Sequence, residues 1–206
     1  YGTIDIDMVA GPSEVLVIAD ESANPKYIAA DLLSQAEHDV LASAVLLTTS
    51  ETLARKVDEE ILRQSAYLSR RAIIEQSLTD FGAAIVCPDL SACAALANEI
   101  APEHLEVMVQ NPLETVGRFD NAGSVFLGRY SPEPLGDYFA GPNHVLPTSG
   151  TARFFSPLGV DSFVKKSSFI YYTREALGEV QGRIANFAEH EGLHAHAKSV
   201  TIRFEE

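Results

Sequence analysis

The sequence is short of basic residues, of cysteine and of long apolar runs. Only 15 Lys and Arg stand against 29 Asp and Glu, for a formal net charge of −14. That balance argues against nucleic acid as a partner, because binding a phosphate backbone draws on clustered Lys and Arg. The acid is spread along the chain rather than gathered in a tail, which serves solubility and also suits a cationic substrate. The two cysteines, Cys87 and Cys93, lie six positions apart, one closing a strand-like run and the other inside a helix-like run. This spacing is neither a zinc knuckle nor a disulfide framework, and it reads as two buried thiols in a reducing cytoplasm. No apolar run approaches the ~20 residues that span a bilayer, so no membrane association is expected. No secretory leader is visible, and the chain begins at Tyr1 almost directly in strand-like sequence, as a portion of a longer protein would. Gly-x-Gly-x-x-Gly and Gly-x-Ser-x-Gly are both absent, so neither a dinucleotide fingerprint nor a nucleophile elbow is present.

What is there is an alternation of strand and helix signals. Glu14–Ala19 is an apolar, β-branched run of the kind buried on both faces of a sheet. Asn24-Pro25 supplies an N-cap and a first-turn proline for a helix over about 25–38. Strands are expected at 44–48, 83–87, 105–109 and 124–127, with helices over about 51–77 and 90–100, the latter capped by Asp89. Alternation of this kind predicts an α/β fold with a Rossmann-like parallel sheet. From Gly128 to Thr151 glycine and proline become dense, and a loop of that length is usually functional. A strand-like piece at 168–172, a helix over about 174–190 and a polar tail at 191–203 follow. Two regions are therefore expected, 1–150 as the Rossmann-like domain and 151–206 as an extended and helical tail.

The residues able to carry chemistry are scattered. Gln35 and His38 fall on one face of the first helix, about a turn apart, with an amide oxygen and an imidazole pointing the same way. Glu103 and His104 sit side by side next to a strand, Asp137 and His144 lie in the Gly/Pro-rich loop, and His190, His194 and His196 cluster in the tail. Each has a bland reading: a capping amide, a solvated loop pair, a fortuitous surface group of histidines. Together they suggest a metal-dependent enzyme site assembled by folding, with the reaction left open.

At this point the residues match a family. Ala10–Asp20 (AGPSEVLVIAD), Ala30–His38 (ADLLSQAEH), Ala101–Val107 (APEHLEV) and Ala140–Gly150 (AGPNHVLPTSG) resemble the C-terminal half of L-histidinol dehydrogenase, the NAD-dependent enzyme that ends histidine biosynthesis. Lys165–Ser168 and the Glu-Gly-Leu-x-x-His run from Glu191 to His196 match as well, in the family's order. The resemblance implies a zinc site of Gln35, His38, Asp137 and His196, with His194 as a second candidate for the last place. It implies Glu103 and His104 as the acid/base pair, and substrate contacts from Ser13, Glu103, His144 and Glu191 together with the zinc ligands Gln35, His38, Asp137 and His196. It further implies L-histidinol as substrate, zinc and NAD as cofactors, nicotinamide contacts largely in an N-terminal half, and a homodimer whose C-terminal tails cross to complete the partner's pocket. A non-catalytic paralogue and a sister dehydrogenase for another small alcohol remain as alternatives.

Overall fold

Short aliphatic runs separated by capped helices fold here into a five-stranded sheet. The computed structural model describes residues 3, 6–8 and 10–205, so part of the strand-like opening lies outside the described residues. Two compact units result, one reaching Val164 and one from Lys165 to Glu206.

The first unit runs β1 (Glu14–Ala19), α1 (Pro25–Ala36), β2 (Ser43–Thr48), α2 (Glu51–Ser65), α3 (Arg71–Phe81), β3 (Gly82–Val86), α4 (Leu90–Ile100), β4 (His104–Met108), β5 (Ser124–Leu127) and α5 (Glu133–Tyr138). The strand order is β3-β2-β1-β4-β5, and every neighbouring pair is parallel. The chain winds outward from β1 to β3 and then crosses to the other side of β1 to lay down β4. This is the doubly wound arrangement expected, with its switch between β1 and β4. Alternate residues of β1 explain why both faces must be covered. Val15, Val17 and Ala19 pack with Ile28 and Leu32 of α1 and with Leu53 and Val57 of α2. Leu16 and Ile18 pack on the opposite face with Leu105, Val107 and, from α4, Cys93 and Ala97. Both cysteines are free and buried.

The helix starts follow the sequence signals. The Asn24 side chain accepts the Lys26 amide with Pro25 in the first turn, and the Asp89 side chain accepts the Ala92 amide. Several boundaries differ from expectation. α1 ends at Ala36, so His38 lies just beyond the helix rather than on it. The expected helix over 51–77 is two helices, α2 and α3, and the break lets Ile74 tuck against Leu33 and Ala36 of α1. β4 begins at His104, one residue early, because His104 pairs in register with Val15. The long loop contains α5.

In the second unit, α6 (Arg174–His190) and α7 (His194–Thr201) form a helical hairpin, so the expected polar tail is helical over most of its length. The strand expected at 168–172 is absent. Phe169, Ile170 and Tyr171 are exposed, and a strand without a neighbour to complete its hydrogen bonds does not form.

One close approach holds β5 to the site. A Cβ on Gly123 would lie 2.5 Å from the Glu103 carbonyl oxygen, a main-chain atom that cannot swing aside. Gly123→Ala should therefore cost about 1–3 kcal/mol in urea unfolding. Gly117→Ala, where a Cβ meets nothing within 4 Å, should stay within about 0.5 kcal/mol of the parent. Equal stabilities for the two variants would contradict this reading.

Candidate active site

The chemistry-bearing residues of the first unit gather where β1 and β4 begin. Glu14, the first residue of β1, donates its amide to Glu103 Oε2 at 2.9 Å, and the Glu103 amide donates to Glu14 Oε2 at 3.2 Å. The second Glu14 oxygen accepts the Ser149 amide at 2.9 Å, which draws the end of the Gly/Pro-rich segment to the same point. His104 Nδ1 lies 2.9 Å from the Glu14 carbonyl oxygen. A carbonyl only accepts, so Nδ1 carries the proton and Nε2 of the neutral ring keeps its lone pair.

That lone pair points into a polar pocket. His104 Nε2 is buried and has no hydrogen-bond partner among the described residues. It stands 3.8 Å from Glu133 Oε1, and His104, Glu133 and Asp137 offer three ligand atoms all within 4.8 Å of one another. Gln35 is buried, and both its amide oxygen and its amide nitrogen lack a partner among the described residues. Buried polar groups are rarely left unpaired. An imidazole lone pair, an amide oxygen and carboxylates are donors that a divalent cation satisfies, zinc included. α1 presents its C-terminal end, the negative end of its dipole, at this same edge of the sheet.

Beneath this pocket β4 carries an oddity. Its central residue Glu106 is 1% exposed and sits in register between Val17 and Phe126, on the face that His104 shares. Glu106 Oε1 accepts the Glu133 amide at 2.8 Å. No described donor reaches Oε2, and the Glu106 side chain meets the Asp31 carboxyl of α1. Two carboxyls bond only through a shared proton.

Burial governs the protonation of the whole group. It pushes Glu103 up to about 7, and the Glu14 and Asp137 charges add to the rise. It pushes Glu133 up to about 8, with Asp137 adding, and Asp31 up to about 6. Glu106 is held well above the carboxylate range by burial and then by Asp31, so Glu106 keeps the shared proton. Burial lowers His104, so its ring is neutral near pH 7.

Of the residues singled out from the sequence, Glu103, His104 and Asp137 meet here. Ser13 hydrogen-bonds Glu103, and His38, exposed, lies near enough to His104 to lower its pKa slightly. His144 and Asp137 line a cavity of about 270 Å³ with Phe126, Leu135 and Pro142. Glu191 and His196 belong to the second unit, where they border a concavity between α6 and α7 with Arg183, Phe187 and Leu193. His194 is exposed at the start of α7. Sequence reasoning missed Glu14, Asp31, Glu106 and Glu133. The available signal was a glutamate two places after His104 in a strand that is otherwise apolar.

A doubly wound α/β domain with a buried carboxylate and imidazole cluster fit for a divalent metal defines the class. The histidinol dehydrogenase family profile matches residues 1–204, and the chain belongs to that family. Histidinol dehydrogenase of Caldanaerobacter subterraneus subsp. tengcongensis is 65% identical over 99% of this chain and 47% of its own length. That of Bacillus cereus is 60% identical over 100% of this chain and 48% of its own. The crystal structure of histidinol dehydrogenase from Elizabethkingia anophelis superposes with a TM-score of 0.92 at 43% identity, over 98% of this chain and 46% of that one. The chain thus spans about half the length of the relatives it matches, and the family resemblance read from its motifs is borne out.

The raised carboxyls fix a pH dependence. Each folded value lies above its ordinary one, from 3.8 to about 6 for Asp31, from 4.5 to about 7 for Glu103 and from 4.5 to about 8 for Glu133. The folded chain therefore binds more protons than the unfolded chain across this window. The stability that these three groups contribute is fully present below about pH 4 and is lost as pH climbs through 6 to 8. The melting temperature of the metal-free chain should fall by several degrees between pH 5 and 8.5, and Glu133→Gln should flatten the fall. A melting temperature that climbs over this range contradicts the assignment.

Proposed function

We propose that the protein catalyses the zinc-dependent, NAD-linked oxidation of L-histidinol through histidinal to L-histidine, in the cytoplasm and as a homodimer. The observation that carries the reading is His104, its Nδ1 tied to the Glu14 carbonyl and its Nε2 free beside Asp137 and Glu133. Gln35, His38, Asp137 and His196 would hold zinc. Zinc would supply a fixed point for the substrate's imidazole and amine nitrogens, and two molecules of NAD, one for each oxidation, would supply the hydride acceptors.

The chain's own groups do the rest. His104 Nε2, neutral because the ring is buried, takes the alcohol proton in the first oxidation. Glu103, poised at about 7, takes a proton from the water that adds to the aldehyde before the second oxidation. Ser13, which hydrogen-bonds Glu103, would contact the substrate together with His144. Glu191 offers a carboxylate to the substrate ammonium. The nicotinamide contacts would come largely from the N-terminal half of the whole protein. Unpaired Gln35 in a buried position favours an active enzyme over a non-catalytic paralogue, since a buried amide with no task is costly to keep.

In the whole protein, His104→Ala should retain zinc by metal analysis and lower turnover of L-histidinol about 10²-fold or more. Turnover near the parent's removes His104 from the mechanism, and loss of zinc makes its imidazole a ligand instead.

The helical hairpin supports the dimer. Ile184, Phe187 and Leu193 are exposed on it, and apolar side chains of that size call for a partner surface. In the crossed arrangement Glu191 and His196 of one subunit join Gln35, His38 and Asp137 of the other. Mixing His38→Ala homodimers with His196→Ala homodimers then puts both lesions in one site of each heterodimer and leaves the other intact. About half the parental zinc per exchanged dimer is expected. No recovery, once subunit exchange is verified, means that each site is built within one chain.

A further inference from the structure

Glu106 takes no part in the proton transfers above, yet it is the most deeply buried acid of the group at 1% exposure. It sits at mid-strand, paired with Val17 of β1 on one side and Phe126 of β5 on the other. A carboxyl there is expensive unless its contacts are needed. Its contacts run to two different elements. Oε1 accepts the amide of Glu133, the first residue of α5, at 2.8 Å inside the core. The same side chain meets the carboxyl of Asp31, one turn before Gln35 on α1. α5 carries Glu133 and Asp137, and α1 leads to Gln35 and His38.

α5 has little else to fix where it starts. It is six residues long, contains Gly136, and its N-cap position is Pro132, which makes no side-chain capping bond. A segment so short is not stable by its own propensity. Its first amide would be an unpaired buried donor without Glu106.

We infer that Glu106 is a positioning residue of the metal site, whose side chain bridges α1 to the first amide of α5 and so sets Asp137 opposite the donors that α1 brings. The inference rests on the reading of this cluster as a metal site. Glutamine at 106 reproduces both contacts, since its carbonyl oxygen accepts the Glu133 amide and its NH₂ donates to Asp31. Leucine is of similar size and makes neither.

Co²⁺ serves as a probe of zinc sites, and its titration into the whole protein, followed by visible absorption, tests the idea. Glu106→Gln should keep the parental spectrum and an affinity within about 3-fold. Glu106→Leu should lose about 10-fold to 100-fold in affinity and change the spectrum, the range expected when a group that orients a ligand is removed. Its melting temperature should not fall in proportion, because an apolar residue replaces a buried carboxyl. Parental affinity and spectrum in Glu106→Leu overturn the inference. A parent that takes up no Co²⁺ overturns the metal reading, and this one with it. Should Glu106→Leu fail to fold, amide exchange in the unaltered protein decides. The Glu133 amide should exchange at least about 10²-fold more slowly than an unstructured amide, and exchange at the unstructured rate overturns the clamp.

Discussion

Everything at this site hangs on the lateral tie between the first turns of two neighbouring strands. Glu14 and Glu103 each use a side-chain oxygen to accept the other's main-chain amide, and the Glu14 carbonyl fixes the His104 ring. Strand pairing alone would set the Cα positions of Val15 and His104. The reciprocal tie goes further and sets side-chain directions, and through Ser149 it anchors a segment more than a hundred residues distant. His104 is therefore part of the sheet, and Glu103, the residue just before β4, is tied to the start of β1 on both its amide and its side chain, so the pair is held against the core beneath it.

The same face of β4 shows why the site favours a cation. A central strand in a parallel sheet is normally apolar on both sides. Here His104 and Glu106 replace apolar residues on one side, with Asp31 and Glu133 packed against them. Four acids, Asp31, Glu103, Glu106 and Glu133, share a dry volume, and each is driven toward its neutral form. A bound divalent ion would reverse that trend for whichever carboxylates it touches. The cluster is poorly adapted to being empty.

Much of this was legible in the sequence, and the exceptions have physical causes. β1, β5, α4 and the caps at Asn24 and Asp89 follow from patterns local to a few residues. The break between α2 and α3 lies in a stretch without glycine or proline; what breaks it is the packing of Ile74 under α1, a tertiary demand. α5 was obscured by its own Pro134 and Gly136, residues that normally argue against a helix. α7 reads as polar because few of its residues meet the core. Glu103, His104, Gln35 and Asp137 stood out because motifs carried them. Glu14 and Glu106 did not, since their importance lies in which distant amide each accepts, and no spacing rule encodes that.

The opposite edge of the sheet carries a different fastening. At the carboxyl end of β1, Asp20 accepts the Gln110 amide just beyond β4 with one oxygen and the Ser22 amide with the other. The mouth where doubly wound proteins usually take a nucleotide is thus laced by a short side chain, while Glu103 and His104 occupy the other end. The two rims therefore differ in how much change they can absorb. An added or deleted residue at 21–22 or 109–111 falls on that surface fastening. The same change at 11–13 or 101–103 shifts Glu103 and His104 out of phase with the strands that hold them.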